Sequence, residues 1–133
     1  MPDKVIQVDL AGNVPAYQKI ANVLRAQLVA GAFQPGDQLP TVRTLAMDLG
    51  VHHNTVAEAY RLLAQEGWLD LRRGRGATII KRSSPPPSPE AEGQFARRLD
   101  ELTAKALAEG VDAGALATQL DALAARLRRG GGK

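Results

Sequence analysis

The segment from Gln34 to Ile80 constrains the fold more than any other part of the chain. It reads QPGDQLPTVRTLAMDLGVHHNTVAEAYRLLAQEGWLDLRRGRGATII. Val42, Leu45, Ala46 and Leu49 fall on one helical face. Thr41 before them is a good N-cap, and Gly50 is a good stop. A second apolar stripe, Val56, Ala59, Tyr60 and Leu63, predicts another helix from about His53 to Glu66, ended by Gly67. Two strand-like runs follow, Trp68 to Leu71 and Ala77 to Ile80, joined by Arg72-Arg73-Gly74-Arg75-Gly76. Two short helices across a tight turn, then a basic hairpin, make a helix-turn-helix with a wing.

The flanks extend this plan. Lys4 to Leu10 alternates and suits a short strand that would complete a three-stranded sheet with the hairpin. Gly12 and Asn13 make a turn. Pro15 then opens a helix to Ala30, with Tyr17, Ile20, Leu24 and Leu28 on one face and Gly31 past its end. Phe33 is expected to pack back on it. Gln34-Pro35-Gly36-Asp37 reads as a turn.

Ser83 to Pro89, SSPPPSP, is a linker. Its prolines favour an extended chain of about 3.1 Å per residue, a reach of roughly 20 Å. Beyond it, Phe95, Leu99, Leu102 and Ala106 mark one helix. Gly110 breaks it, and Asp112 can cap the next, which carries Leu116, Leu120, Leu123 and Leu127. The expected organisation is mainly α with a small β-sheet. A winged helix-turn-helix spans 1–82, a linker 83–89, a two-helix dimerisation region 90–129 and a disordered tail 130–133.

Charge is unevenly distributed. The chain has a formal net charge of +3 and a pI of about 9.6. Residues 1–82 hold 10 Lys/Arg against 7 Asp/Glu, and residues 83–133 hold 7 against 7. The excess sits in the half with the helix-turn-helix, where phosphate binding would need it. The absence of cysteine excludes disulfides and thiolate chemistry. No apolar run reaches the roughly 18 residues of a membrane span, and the N-terminus lacks a secretory apolar region. A cytoplasmic protein without membrane association is expected.

In a helix-turn-helix the second helix enters the major groove. Its outward residues here are His53, Asn54, Ala57, Glu58 and Arg61, with Thr55 at the border. Asn can bond adenine twice, and a Thr methyl can touch thymine. Asn54 and Thr55 could equally cap the helix. Arg43 points away from its apolar stripe, which in this geometry turns it toward backbone or base edges; a solvated surface arginine is the alternative there. Arg72, Arg73 and Arg75 sit on a hairpin whose Gly74 and Gly76 allow close approach to a groove. An ordinary charged turn is the alternative there. His52 and His53 are neighbours and do not share a helical face, so no metal site is expected. No cofactor motif and no nucleophile–base pairing is present, which argues against an enzyme.

These residues resemble the GntR family of bacterial transcription regulators. The resemblance rests on Pro15-x-Tyr17, Gly31-x-Phe33-x-Pro35-Gly36-Asp37-x-Leu39-Pro40, Thr41-Val42-Arg43-x-Leu45-Ala46 and Gly50-Val51-His52-His53-Asn54-Thr55-Val56. Glu66-Gly67-Trp68-Leu69 and Gly74-Arg75-Gly76 continue it over about residues 14–81. It implies DNA readout through Arg43, through His53, Asn54 and Thr55, and through the wing at Arg75 and Gly76. The short two-helix tail resembles the YtrA-type subfamily, which implies a homodimer. Ala57 and His52-His53 depart from the pattern common in relatives, which leaves the operator open.

The sequence thus leads to a regulator of double-stranded DNA, a repressor acting as a homodimer on a palindromic operator. Dimerisation is expected through Phe95, Leu99, Leu102, Leu116, Leu120, Leu123 and Leu127. A small-molecule effector is left unnamed. The alternative is a protein–protein adaptor that uses a winged helix without DNA.

Overall fold

The structure is a computed structural model, and it describes residues 6–72 and 76–130. The chain divides into two compact units between Ser84 and Pro85. The first holds α1 (Ala16–Val29), α2 (Val42–Leu49), α3 (His53–Gln65), β1 (Leu69–Arg72) and β2 (Gly76–Ile79). The second holds α4 (Pro89–Ala108) and α5 (Ala113–Gly130).

In the first unit α3 is the central element, packing against α1, α2 and β1. Its stripe of Val56, Ala59, Tyr60 and Leu63 is buried as the periodicity predicts. Ile20, Leu24 and Leu28 of α1 and Leu45 and Ala46 of α2 close on it. Phe33, Leu39, Leu69, Ala77 and Ile79 complete the core, with Tyr17, Val42, Leu49 and Trp68 partly buried around it. The Thr41 side chain caps α2 by accepting from the Thr44 N–H at 3.1 Å. Gly50 ends that helix with φ of 72°, a left-handed conformation that a side chain would strain. Buried Tyr60 donates from its hydroxyl to the Pro40 carbonyl at 2.7 Å. That bond ties α3 to the residue before the α2 cap, and burial raises the Tyr60 pKa, keeping the donor protonated.

β1 and β2 form an antiparallel pair with Leu69 opposite Ile79 and Arg72 opposite Gly76. The expected third strand is not found. Residues 6–10 carry no strand, and Met1 to Val5 lie outside the described residues. Ile6 and Val8 do pack against the core, so the alternation reflects side-chain burial without a ladder. The free edge of β2 is taken by the segment read as a turn. Gly36 N–H donates to the Ile79 carbonyl, Ile79 N–H to Asp37, and Leu39 N–H to Ala77, at 2.7–2.9 Å. Gln38 bridges Thr78. With these groups occupied, residues 6–10 have no backbone partner on that edge.

In the second unit Pro89 is the first residue of α4 and not part of the linker. Ser88 caps it, accepting from the Ala91 N–H at 3.1 Å, and Glu90 and Glu92 favour the positive helix start. The side chain of Asp112 caps α5 through the Ala115 N–H at 3.1 Å, as its position predicts. Gly130 is the last residue of α5, and residues 131–133 lie outside the described residues. No residue from 89 to 129 is buried. Phe95, Leu102, Leu123 and Leu127 are exposed, and Leu99, Leu116 and Leu120 are half-buried. Among the described residues no helix is long and apolar enough to cross a membrane.

Candidate nucleic-acid interface

The start of α3 is built by a residue that the sequence reading passed over. His52 is the N-cap, and its Nδ1 accepts from the Asn54 N–H at 3.0 Å. An imidazole nitrogen accepts only when unprotonated, so this bond fixes the ring's tautomer. His53 stacks on His52 with centroids 4.3 Å apart. Because His52 supplies the cap, the side chains of Asn54 and Thr55 are not used for it. His53 and Asn54 are exposed, and Thr55 is half-buried at the border of the face. The capping alternative for these two residues is thereby removed.

Arg43 is exposed in the first turn of α2, and Arg61 is exposed two turns along α3. Glu58 is also exposed on α3, the one carboxylate among its outward residues. Arg72, at the end of β1, is exposed but engaged. Its Nε donates to Asp70 Oδ2 at 2.7 Å, and that carboxylate raises the Arg72 pKa. Residues two apart on a strand share a face, so this pair was legible from the alternation. Arg73, Gly74 and Arg75 lie outside the described residues. Gly76 has φ of 76°, which lets the hairpin return without strain.

Three elements meet around a cleft of about 210 Å3. Val42 of α2, Ala57, Tyr60 and Arg61 of α3, and Leu71, Arg72, Gly76 and Ala77 of the hairpin line it. Of the predicted contact residues the cleft gathers Arg61, Arg72 and Gly76. Arg43, His53, Asn54 and Thr55 do not line it.

A second cluster lies at the other end of α3. Arg25 of α1 donates from Nε and Nη2 to the two carboxylate oxygens of Glu66, at 2.8 and 2.7 Å. Glu66 Oε1 also accepts from the Trp68 indole N–H at 3.0 Å. The Arg25 hydrogen bond holds the Glu66 carboxyl below its ordinary value. Burial opposes this and is outweighed by Arg25, with smaller help from Trp68 and Arg82. Nothing in local spacing announces a pair 41 residues apart in the chain.

A three-helix core, a capped second helix of a helix-turn-helix and a two-stranded hairpin define a winged helix-turn-helix protein. The pattern of bacterial regulatory proteins of the gntR family matches residues 16–79. The YtrA protein of Sulfolobus acidocaldarius, a GntR-family transcription factor of solved structure, is 30% identical. Its TM-score is 0.55 over 79% of this chain and 99% of that one. The chain belongs to the GntR family. It is also similar to the HTH-type transcriptional repressor YtrA of Bacillus subtilis, 37% identical over 59% of this chain and 61% of that protein. That match spans less than two thirds of the relative's length. The DNA-binding domain of AraR, solved in complex with operator ORX1, shares the fold at 22% identity. Its TM-score is 0.54 over 59% of this chain and all of that one. The family is one of regulators and not of enzymes.

Proposed function

We propose that this protein is a transcription repressor that binds a palindromic operator in double-stranded DNA as a homodimer. The observation that carries the reading is the start of α3. His52 holds the first turn in shape while His53 and Asn54 remain exposed, with Thr55 beside them. In a helix-turn-helix that turn faces base edges in the major groove. Arg43, exposed on α2, and the arginines of the hairpin sequence supply the phosphate and groove contacts in this reading. Support also comes from the repressor name of the Bacillus subtilis relative and from the operator bound to the AraR domain of the same fold.

In this reading residues 1–82 recognise DNA and residues 83–89 connect them to a dimerisation region at 90–129. The apolar side chains of α4 and α5, balanced in charge and uncovered within one chain, take a second copy as their partner. Two copies double the phosphate contacts and match a two-fold site. Its working place is the cytoplasm, with the DNA.

Selection of binding sites from random oligonucleotides tests the whole reading, and a two-fold enriched site is the expected result. On that site Arg43→Ala should lose about 1–3 kcal/mol and relax the base preference beneath it. Enrichment of no site, or Arg43→Ala binding as tightly as wild type, rejects the docking face.

A further inference from the structure

Arg82, just before the linker, is held by several contacts to residues 66–68. Its Nε donates to the Glu66 carbonyl at 2.8 Å. Its guanidinium carbon stands 4.5 Å from the centroid of the Trp68 ring. Its aliphatic stem crosses Gly67, where an added Cβ would meet the Arg82 Cγ at 3.6 Å. Trp68 is itself fixed, because its indole N–H donates to Glu66, which Arg25 holds from α1. Two residues earlier, just beyond the end of β2, the Ile80 N–H donates to the Trp68 carbonyl at 3.1 Å. The chain from Ile80 to Arg82 is therefore strapped along residues 66–68, and the proline linker begins at Ser83.

We infer that Arg82 is a positioning residue that sets the direction in which the linker leaves the DNA-binding unit, and thereby the half-site spacing the protein accepts. The inference rests on the homodimer reading above. A Pro-rich linker is a semi-rigid spacer, so the direction at its root carries to its far end. A flexible root would let the two recognition helices adopt a range of separations, whereas a strapped root narrows it. Guanidinium suits this role better than ammonium, because one planar group can donate to a carbonyl and lie over a ring at once.

The test uses the full chain and its Arg82→Ala and Arg82→Lys variants. Binding is titrated on a single half-site and on palindromes whose half-sites are moved by one or two base pairs. Trp68 is the only tryptophan, so its emission reports the loss of the overlying guanidinium. Wild type should favour its preferred spacing by about tenfold or more, the bivalent advantage being lost when geometry forbids joint engagement. Arg82→Ala should remain a dimer, bind the half-site within about twofold of wild type, and discriminate spacings by about threefold or less. Arg82→Lys should fall between. Should Arg82→Ala lose its helical circular dichroism, Arg82→Lys carries the test by the same criterion. A wild type that discriminates and a folded variant that discriminates equally overturn the role of Arg82 alone. A wild type that dimerises but is indifferent to spacing overturns this inference, and a wild type that sediments as a monomer overturns the homodimer reading and this inference with it.

Discussion

The helices α3 and α4 have comparable apolar patterns and opposite fates. In its 13 residues α3 buries Val56, Ala59, Tyr60 and Leu63 completely or nearly so. In its 20 residues α4 buries none, and Phe95 and Leu102 are 62% and 65% exposed. The difference lies in what surrounds each helix. Three other elements and a set of side-chain hydrogen bonds, from Tyr60 to the Pro40 carbonyl and from Arg25 to Glu66 just past the helix end, close around α3. The tail offers only one other helix of its own kind. An isolated helix gains too little from its own hydrogen bonds to be stable in water, and packing of its apolar face supplies most of the rest. The first unit contains that packing within one chain, and the second obtains it from a second copy in the proposed dimer.

The largest effect should come from separating the two. Deleting residues 90–133 should leave a folded first unit, since none of its buried core lies beyond Ile79. It should sediment as a monomer and lose about 10²–10⁴-fold in affinity for a two-fold site, the usual size of a bivalent advantage. Leu120→Asp in the full chain should do the same by setting a charge in the apolar seam. A dimer that persists in sedimentation after both changes would place the interface in the first unit and break the contrast.

A second pair of substitutions sharpens the contrast energetically. Leu63 is fully buried, so Leu63→Ala should cost about 2–5 kcal/mol in unfolding free energy. That loss should not depend on protein concentration, because every neighbour belongs to the same chain. Phe95→Ala should lower the melting temperature at high protein concentration and leave it nearly unchanged at low concentration, where the dimer dissociates. Equal behaviour of the two variants across a dilution series would mean that the tail is stabilised within one chain.

How much could be read from the sequence follows the same division of local and distant causes. The stripes of α1 and α3 and the Thr41 and Asp112 caps were legible, because each depends on spacing within one element. The two hairpin strands were legible too, each displaced by one residue from its expected bounds. The third strand was misread because alternation reports which side chains turn inward, not which backbone holds the ladder. Asp37 and Leu39 had already taken that edge of β2. The His52 cap was missed because imidazole is outside the usual set of capping side chains. Arg25 with Glu66, and Arg82 with Trp68, are products of tertiary folding and have no periodic signature. At the interface, spacing placed Arg43, His53 and Asn54 outward with Thr55 at the border, while the Asp70 ion pair that engages Arg72, though readable from the strand alternation, was not anticipated.

The smallest expected effect is pH-dependent and belongs to the first unit alone. Folding places Glu66 against Arg25, and this lowers the carboxyl pKa against the opposing effect of burial. A carboxyl of depressed pKa binds its proton less readily when folded than when unfolded. Its ionisation therefore stabilises the fold fully above the unfolded value, about 4.3 for Glu. That contribution fades as pH falls through the lower folded value, where both states carry the proton. Arginine stays charged throughout, so the change belongs to the carboxyl. Glu66→Gln keeps the shape and can still accept one bond, while losing the charge and the bidentate grip. At neutral pH it should destabilise the first unit by about 1 kcal/mol, less than the roughly 1.5–3 kcal/mol of hydrogen bonds to charged groups because the pair is partly solvated. Denaturant unfolding from about pH 7 to about pH 3 should show the gap between wild type and Glu66→Gln narrowing on the acid side. A gap of constant size across that range would mean that Glu66 acts through packing and not through its charge.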